Sequence, residues 1–250
     1  MKQMILLIIV CQAVLLGQAA ATTQSSNESS EVIAARQARD RASVEDLQRI
    51  VAKVQKEAAE TKSFDAYLRL ALFEVWTCEA AEAHQNDRLF RQAAEAGVAA
   101  AEMAVTLNPK SSDAHQLLGD LLSQLIPHVY GGGMKYGQRS TDEMDKAIEL
   151  NPKNVNAYVS RAISYYYTPD SFGGSKSKAV EMLKKAVEID SQADSPHIWL
   201  AIFYLDEGRR DDALVEINLA LRADPNRVFT KYVQSQIASA KKPETQKKQP

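Results

Sequence analysis

The stretch that decides the fold runs from Ser195 to Pro225 and reads SPHIWLAIFYLDEGRRDDALVEINLALRADP. On either side of Gly208, small and apolar residues recur at helical spacing: Leu200, Ala201 and Tyr204, then Ala213, Ile217 and Ala220. A left-handed glycine ends a helix and a proline cannot continue one, so Gly208 and Pro225 predict the ends of two helices. The small residues let those helices approach closely, while Tyr204 and Ile217 fill the space between them. The stretch therefore predicts a packed pair of amphipathic helices.

These positions resemble the tetratricopeptide (TPR) repeat, a helix pair of about 34 residues. The matching residues are Leu200, Ala201, Tyr204, Gly208, Ala213, Ile217, Ala220 and Pro225. The signature Trp position of the repeat holds His197 instead. The resemblance implies an all-α fold, a right-handed superhelix of stacked pairs whose first helices line a concave groove for extended or helical peptides.

Three further repeat ends precede this unit, at Asn108-Pro109, Asn151-Pro152 and Asp190-Ser191. The ends at positions 109, 152, 191 and 225 are separated by intervals of 43, 39 and 34, so the second and third units are longer than the last one by 9 and 5. A boundary at Thr61 makes the first unit longer by 14. The sequence thus predicts about four TPR-like helix pairs, preceded by a helical region from Glu31 and followed by a capping helix.

The extra residues are predicted to lie between the two helices of each unit, because the first helix keeps the repeat phase from its start and the second keeps it from its end. They are Pro127–Gly133 in the second unit and Thr168–Gly174 in the third. The turns of a stacked array lie along one edge, so these inserts should project on the same side. A histidine and the aromatic residues in or beside them form a candidate insert-edge site: His128, Tyr130, Tyr136 and Phe172.

A candidate partner-binding groove follows from the TPR resemblance. The matching positions of the first helices are Gln116, Asp120, Gln124, Asn156, Val159, Tyr166, Tyr167, Ile198, Ile202 and Leu205. In the run Tyr165–Tyr167 only Tyr165 is needed for packing, so the other two are predicted to face the groove or the insert, where tyrosine offers apolar area and a hydroxyl. The alternative is that they pack against Phe172 and a neighbouring repeat.

Residues 1–21 have the pattern of a secretory signal peptide. Lys2 precedes an apolar run from Met4 to Leu16, and the small residues Ala19–Ala21 follow. The apolar run is too short to span a bilayer comfortably, so we expect cleavage after Ala21 and no stable membrane insertion. An uncleaved N-terminal anchor is the alternative. We therefore expect an exported protein, either periplasmic or secreted.

Composition divides the rest of the chain into three parts. Residues 22–30 are polar and aperiodic, which predicts a flexible linker. Residues 31–240 form the predicted TPR-like repeat domain, and residues 241–250 form a basic tail that we expect to be disordered.

Charge and motifs argue against several functions. Loss of Lys2 leaves 29 basic and 32 acidic residues, a net charge of −3, which does not favour nucleic-acid binding. Cys78, alone after cleavage and among apolar neighbours, predicts a buried, inert thiol. The histidines lack a metal-ligand spacing, and His115 and His197 are expected to be semi-buried at packing positions. Gly132–Gly137 is followed by Gln138-Arg139 instead of the Lys and Ser or Thr of a phosphate-binding loop, and Gly173–Lys176 lacks the first glycine of that pattern. Neither insert follows a predicted strand, and no nucleophile motif is present. We therefore expect no catalytic residue, metal or cofactor.

Two functions remain. The leading hypothesis is an exported, non-enzymatic scaffold that binds a protein or peptide partner in the cell envelope through its concave groove. The alternative is small-molecule binding, since Phe172-Gly173-Gly174, Lys178-Ala179 and Lys185-Ala186 resemble the T component of periplasmic TRAP transport systems. That resemblance implies an accessory role in substrate delivery, with a ligand site near the inserts.

Overall fold

The computed structural model describes residues 29–240, which form an all-α array without strands. Its eleven helices are α1 (Ser30–Asp40), α2 (Val44–Thr61), α3 (Phe64–Ala83), α4 (Asp87–Leu107), α5 (Ser112–Leu125), α6 (Gly132–Leu150), α7 (Val155–Tyr167), α8 (Lys176–Ile189), α9 (Asp194–Asp206), α10 (Arg210–Ala223) and α11 (Val228–Ser239). Short 3-10 turns occupy Ile126–His128 and Asp170–Phe172. The predicted signal peptide, most of the predicted linker and the predicted tail lie outside the described residues.

The helices pack as four successive pairs, α3/α4, α5/α6, α7/α8 and α9/α10. Helices α1 and α2 precede these pairs, and α11 packs on the last one. The first helices of neighbouring pairs also contact one another, so α3, α5, α7, α9 and α11 form the inner layer of the superhelix. The predicted all-α superhelix of about four TPR-like pairs is therefore confirmed.

Local sequence signals set the helix ends. The Ser43 hydroxyl accepts a hydrogen bond from the Asp46 N–H (3.4 Å), and the Ser175 hydroxyl accepts one from the Lys178 N–H (3.3 Å). Each serine thereby satisfies one of the backbone donors left free at a helix start. At the end of α9, Gly208 has a φ of +75°, the left-handed conformation expected from the sequence.

The extra residues of the longer units are distributed differently in each. Helices α9 and α10 have 13 and 14 residues. Helices α7 and α8 have the same lengths, so the third unit carries its excess in the connection between them. In the second unit α6 has 19 residues and begins within the insert, and in the first unit α3 and α4 are extended to 20 and 21 residues. The first unit is thus a longer helical hairpin with a short connection.

Ion pairs join the two ends of the superhelix. Arg227, just before α11, is fully buried and donates to Asp194 Oδ2 of α9 at 2.9 Å and to Glu79 Oε2 of α3 at 3.0 Å. A second arginine, Arg39 of α1, lies 3.4 Å from Asp224. We call the trio Arg227, Glu79 and Asp194 the clasp. It joins the first described helix pair to the last.

Candidate functional site

The insert of the second unit is a tight turn that presents two large side chains. Its turn is closed by the Gly132 N–H, which donates to the Val129 carbonyl at 2.8 Å. A Cβ on Gly132 would lie 2.3 Å from the Ile126 carbonyl oxygen, so only glycine fits at this position. Tyr130 is fully exposed at the tip, and Met134 is 93% exposed on the first turn of α6.

The insert of the third unit is equally well defined. The Gly174 N–H donates to the Pro169 carbonyl at 3.2 Å, and the Ser175 N–H donates to the Tyr165 carbonyl at 2.8 Å. A Cβ on Gly174 would lie only 1.7 Å from the Thr168 carbonyl oxygen. These constraints hold the loop in one conformation, in which Phe172 is 81% exposed.

The other two predicted insert-edge residues contribute to packing instead. His128 stacks on Phe90, with ring centroids 4.5 Å apart, and burial lowers the pKa of this imidazole. Tyr136 is half-buried against the hydrophobic core formed by α3, α4 and α5, and Lys135 Nζ lies 4.7 Å above its ring. The exposed part of the predicted site is therefore Tyr130 and Phe172.

Sequence reasoning missed Met134. It treated the residues up to 133 as a loop, whereas α6 begins at Gly132 and its first turn has little to pack against. A Cβ on Gly133 would meet nothing within 4 Å. We call the three exposed side chains of the two successive inserts, Tyr130, Met134 and Phe172, the insert edge.

The predicted groove is closed in this structure. Gln116, Asp120 and Gln124 of α5 are each at most 1% exposed. Also buried are Val159, Tyr166, Ile198 and Ile202, whereas Asn156, Tyr167 and Leu205 are half-buried. These side chains belong to the inner layer, where neighbouring first helices pack against one another. They offer no open peptide-binding surface, and partner binding there stays a prediction for a more open state.

The two tyrosines of the Tyr165–Tyr167 run pack on the next repeat. The Tyr166 ring stacks on Phe203, with centroids 3.7 Å apart, and its hydroxyl donates to Asp206 Oδ2 at 2.7 Å. Burial and the neighbouring carboxylate raise the pKa of Tyr166. Tyr167 contacts Phe203 edge-on. The alternative of packing against a neighbouring repeat is therefore the arrangement seen, with Phe203 as the contact.

The histidines at the packing positions, His115 and His197, are buried, more deeply than the semi-burial expected from the sequence. His115 Nδ1 lies 2.5 Å from Glu143 Oε2, and His197 Nδ1 lies 2.6 Å from Glu216 Oε2. Each contact joins the first helix of a pair to the second, so these histidines hold helix pairs together. Cys78 is buried, and burial raises the pKa of its thiol well above the usual range, which makes it a poor nucleophile.

Residues 29–240 hold neither a metal-binding cluster nor a membrane span. No group of three His, Cys, Asp or Glu side chains in this range could hold a metal ion. No helix in the same range is both long and apolar enough to cross a bilayer.

Comparison with known proteins identifies the repeat type. Residues 177–235 match the family model of the tetratricopeptide repeat. No curated protein sequence is significantly similar to the chain. The solved structure of TTC0263, a thermophilic TPR protein in Thermus thermophilus, is 16% identical over 83% of this chain and 98% of its own, with a TM-score of 0.59.

Two other structural matches are more distant. YrrB, described as a TPR protein with an unusual peptide-binding site, is 12% identical over 83% of this chain and 98% of its own, with a TM-score of 0.43. MamA from Desulfovibrio magneticus RS-1 is 13% identical over 81% and 99%, also with a TM-score of 0.43.

The match to TTC0263 shows the fold and nothing more specific. The resemblance to TRAP T components gains no support from these comparisons. The family model covers α9 and α10, the unit that best fits the repeat pattern, together with most of α8 and α11. The chain therefore has the fold of a tetratricopeptide-repeat superhelix, and its last repeat carries the sequence pattern of that family.

Proposed function

We propose that this chain is an exported, non-enzymatic protein-interaction scaffold that binds a protein partner in the cell envelope at its insert edge. The observation that carries the proposal is a contrast in exposure. The residues of the predicted groove are largely buried, whereas Tyr130, Met134 and Phe172 project into solvent from the inserts of two successive repeats.

The insert edge has the composition of a binding hot spot. Aromatic side chains and methionine are enriched at the centres of protein interfaces, and a few such residues carry most of the binding energy. Burying two aromatic side chains removes roughly 300–500 Å² from solvent. That is about half of the roughly 800 Å² that each partner contributes to a standard interface. The edge can therefore anchor a partner that also contacts the surrounding helix ends.

The local backbone favours the same proposal. Both inserts are held by their own hydrogen bonds and by glycines that no larger residue could replace. The backbone at Tyr130 and Phe172 is therefore defined before a partner arrives. A preorganised backbone loses less conformational entropy on binding, which leaves more of the contact energy for affinity.

Binding in the concave groove would first require the clasp to open. For this reason we place the main partner at the insert edge and treat the groove as a second surface. Export is part of the proposal and depends on the apolar segment Met4–Leu16. Mass spectrometry of the protein recovered from the native cell envelope should find an N-terminus at Thr22; an N-terminus at Met1 would contradict cleavage.

Site-specific photo-cross-linking tests the insert edge. A photoreactive amino acid replaces Tyr130, Phe172 or, as a matched control, Val215, which is 60% exposed on α10 and outside the insert edge. The two insert positions should capture one common protein in the native envelope, and the Val215 position should not. Equal capture at all three positions would contradict the proposal.

Affinity for the captured partner provides the quantitative test. The double variant Tyr130→Ser with Phe172→Ser should weaken binding at least about 30-fold, because losing hot-spot contacts worth about 2 kcal/mol changes the Kd by that factor. Val215→Ser should bind as the parent chain does. An unchanged Kd in the double variant would rule out the insert edge as the binding surface.

A further inference from the structure

Three exposed basic residues belong to the two helices that begin beside the insert of the second unit. Arg88 and Arg91 lie in the first two turns of α4, and Lys135 lies in the first turn of α6. Within residues 29–240, none of the three forms an ion pair. We call these three residues the basic patch.

The start of α4 packs against this insert. Phe90 lies between Arg88 and Arg91 in the chain, and its ring stacks on His128 with centroids 4.5 Å apart. His128 precedes Tyr130 by two residues, which separates their Cα atoms by at most about 7 Å. The two arginines therefore belong to the part of α4 that lies beside the insert carrying Tyr130.

The start of α6 brings the third cation to the same region. The Lys135 N–H donates to the carbonyl of Gly131 at 3.1 Å, and Gly131 directly follows Tyr130. The next residue, Tyr136, packs in the hydrophobic cluster that also contains Phe90. Lys135 therefore lies one helical turn from the tip of the insert, on a helix that packs against the start of α4.

This region is positively charged, whereas the whole chain has a net charge of −2. Residues 83–91 and 126–137 contain the basic patch and a single carboxylate, Asp87, which gives a net charge of +2 with histidine neutral. Burial and the charge of Asp87 raise the pKa of the neighbouring Glu82 to about 7, which reduces the negative charge there. No side chain of the described residues caps the first turn of α6, so its free N–H groups also favour an anion.

Basic residues at the next two connections within helix pairs are mostly paired with acids of this chain. Lys176 of the third unit lies 3.2 Å from Asp206, and Arg209 of the last unit lies 2.8 Å from Asp212. An external anion would have to compete with these carboxylates. It meets no such competition at the basic patch.

The size of the patch favours one class of anionic partner. Segments that bind anionic membranes carry clusters of about four to eight Lys and Arg residues, and nucleic-acid-binding domains have strongly basic faces. Three cations beside the exposed side chains of Tyr130 and Met134 suit a peptide segment that combines carboxylates with apolar residues. In such interfaces apolar contacts supply most of the affinity, and the surrounding charges select the partner.

We infer that the partner of the insert edge presents an acidic segment, whose carboxylates pair with the basic patch while its apolar side chains contact Tyr130 and Met134. The inference rests on the proposed function and adds the chemistry of the partner. Exposed ion pairs contribute little to affinity, but charges around an interface accelerate association and make it dependent on salt. The patch therefore acts mainly on the rate at which the partner binds.

Two synthetic peptides of equal length test the patch on the chain without its predicted signal peptide. One is rich in glutamate and contains two phenylalanines, and the other has lysine in place of every glutamate. Fluorescence anisotropy should show binding of the glutamate peptide that weakens as salt is added, because salt screens the charges, and no binding of the lysine peptide. Binding of neither peptide, or equal binding of both, overturns the inference. Tighter binding to phosphatidylglycerol vesicles or to duplex DNA than to the glutamate peptide also overturns it.

Charge reversal at the start of α4 makes the test specific. Arg88→Glu with Arg91→Glu should slow association of the glutamate peptide at least about tenfold at low salt. Both positions are exposed near a helix N-terminus, where carboxylates are favourable, so this variant should fold.

A matched control makes the same change of net charge elsewhere. Lys110→Glu with Lys153→Glu alters two exposed lysines in the connections between helix pairs, at the other ends of the helices. The control should bind the glutamate peptide at the parental rate. Equal slowing in both double variants would show that the net charge of the chain, and not the basic patch, governs binding.

The captured partner separates this inference from the proposed function. A partner that associates with the Arg88→Glu and Arg91→Glu chain at the parental rate overturns the inference and leaves the proposed function intact. Failure to capture a common protein at Tyr130 and Phe172 overturns the proposed function, whereas slower binding of the glutamate peptide to the charge-reversed chain still supports an acidic ligand at the patch.

Discussion

Replacing Arg227 with methionine should open the concave side of the molecule. The guanidinium is fully buried, and it bonds two carboxylates that are themselves at most 7% exposed, Glu79 on α3 and Asp194 on α9. Burial lowers the pKa of Arg227, but the two carboxylates more than offset this and keep it above its usual value. The arginine is therefore charged at every pH at which the chain folds.

The expected loss of stability follows from the two carboxylates that Arg227→Met leaves without a counterion. The two carboxylates lose a buried counterion, and breaking a buried ion pair by removing one partner typically costs about 3–5 kcal/mol. Part of that cost disappears if the ends of the superhelix separate and water reaches Glu79 and Asp194. We therefore expect a loss of about 3 kcal/mol in the free energy of unfolding, at the lower end of that range, together with exposure of the inner layer.

Two assays separate these effects. Denaturant unfolding measures the loss of stability. Acrylamide quenching measures the opening, because the chain has two tryptophans, and Trp76 and Trp199 are at most 1% exposed. Arg227→Met should increase quenching under native conditions. Arg49→Met serves as a control, since Arg49 forms an exposed ion pair with Asp46 and its loss should change neither quantity appreciably.

A triple variant tests whether the unpaired carboxylates cause the loss of stability. Combining Arg227→Met with Glu79→Gln and Asp194→Asn removes the unpaired charges and should restore most of the lost stability. If Arg227→Met costs less than about 1 kcal/mol, a value typical of an exposed ion pair, and quenching is unchanged, then the clasp does not hold the superhelix closed.

Three further predictions concern single side chains. Burial raises the pKa of Glu74 to about 8, so its contribution to stability is full below its unfolded pKa of 4.5 and is lost as the pH rises through 8. Glu74→Gln should therefore add up to about 3 kcal/mol to the free energy of unfolding at pH 7. Denaturant unfolding over a pH series tests this, and a variant whose unfolding free energy changes with pH as steeply as that of the parent would contradict it. Gly174→Ala should destabilise the fold by more than about 1 kcal/mol, because the added Cβ would overlap a backbone carbonyl oxygen. At Gly137 an added Cβ would meet no atom within 4 Å, so Gly137→Ala should stabilise α6 by about 0.5–1 kcal/mol. Equal Tm shifts for the two variants would refute the steric argument. Tyr166→Phe should lower the free energy of unfolding by about 1 kcal/mol through loss of the hydrogen bond to Asp206. A double-mutant cycle with Asp206→Asn that gives no coupling energy would show that this bond does not contribute to stability.

The repeat architecture could be predicted from the sequence because its signals are local. Gly208 ends α9 and Ser175 caps α8 through groups a few residues away. The small residues Ala201 and Ala213 mark close helix contacts within one pair, and both are fully buried. Such features depend on neighbours in the chain, which is why counting back from Ser195–Pro225 located the earlier helix pairs.

The sequence could predict the candidate sites only in part. Tyr130 and Phe172 could be predicted as exposed because they lie in inserts outside the repeat pattern. Met134 could not, since whether residues 132–134 form a loop or a helix depends on how far α6 extends beyond its partner. Tyr166 was ambiguous from sequence, and the stacked Phe203 of the next repeat decided its position.

The sequence by itself determined the pairing of the helices and the insert of the third unit, but not the helix lengths of the first two units. Only the tertiary structure decided that the concave face is closed and that Gln116, Asp120 and Gln124 of α5 are buried. The physical reason is that superhelical curvature accumulates from small rotations between successive repeats, so whether the ends meet depends on all of them together. The bond from Arg227 to Glu79 joins residues 148 positions apart, and no pattern within a single repeat encodes it.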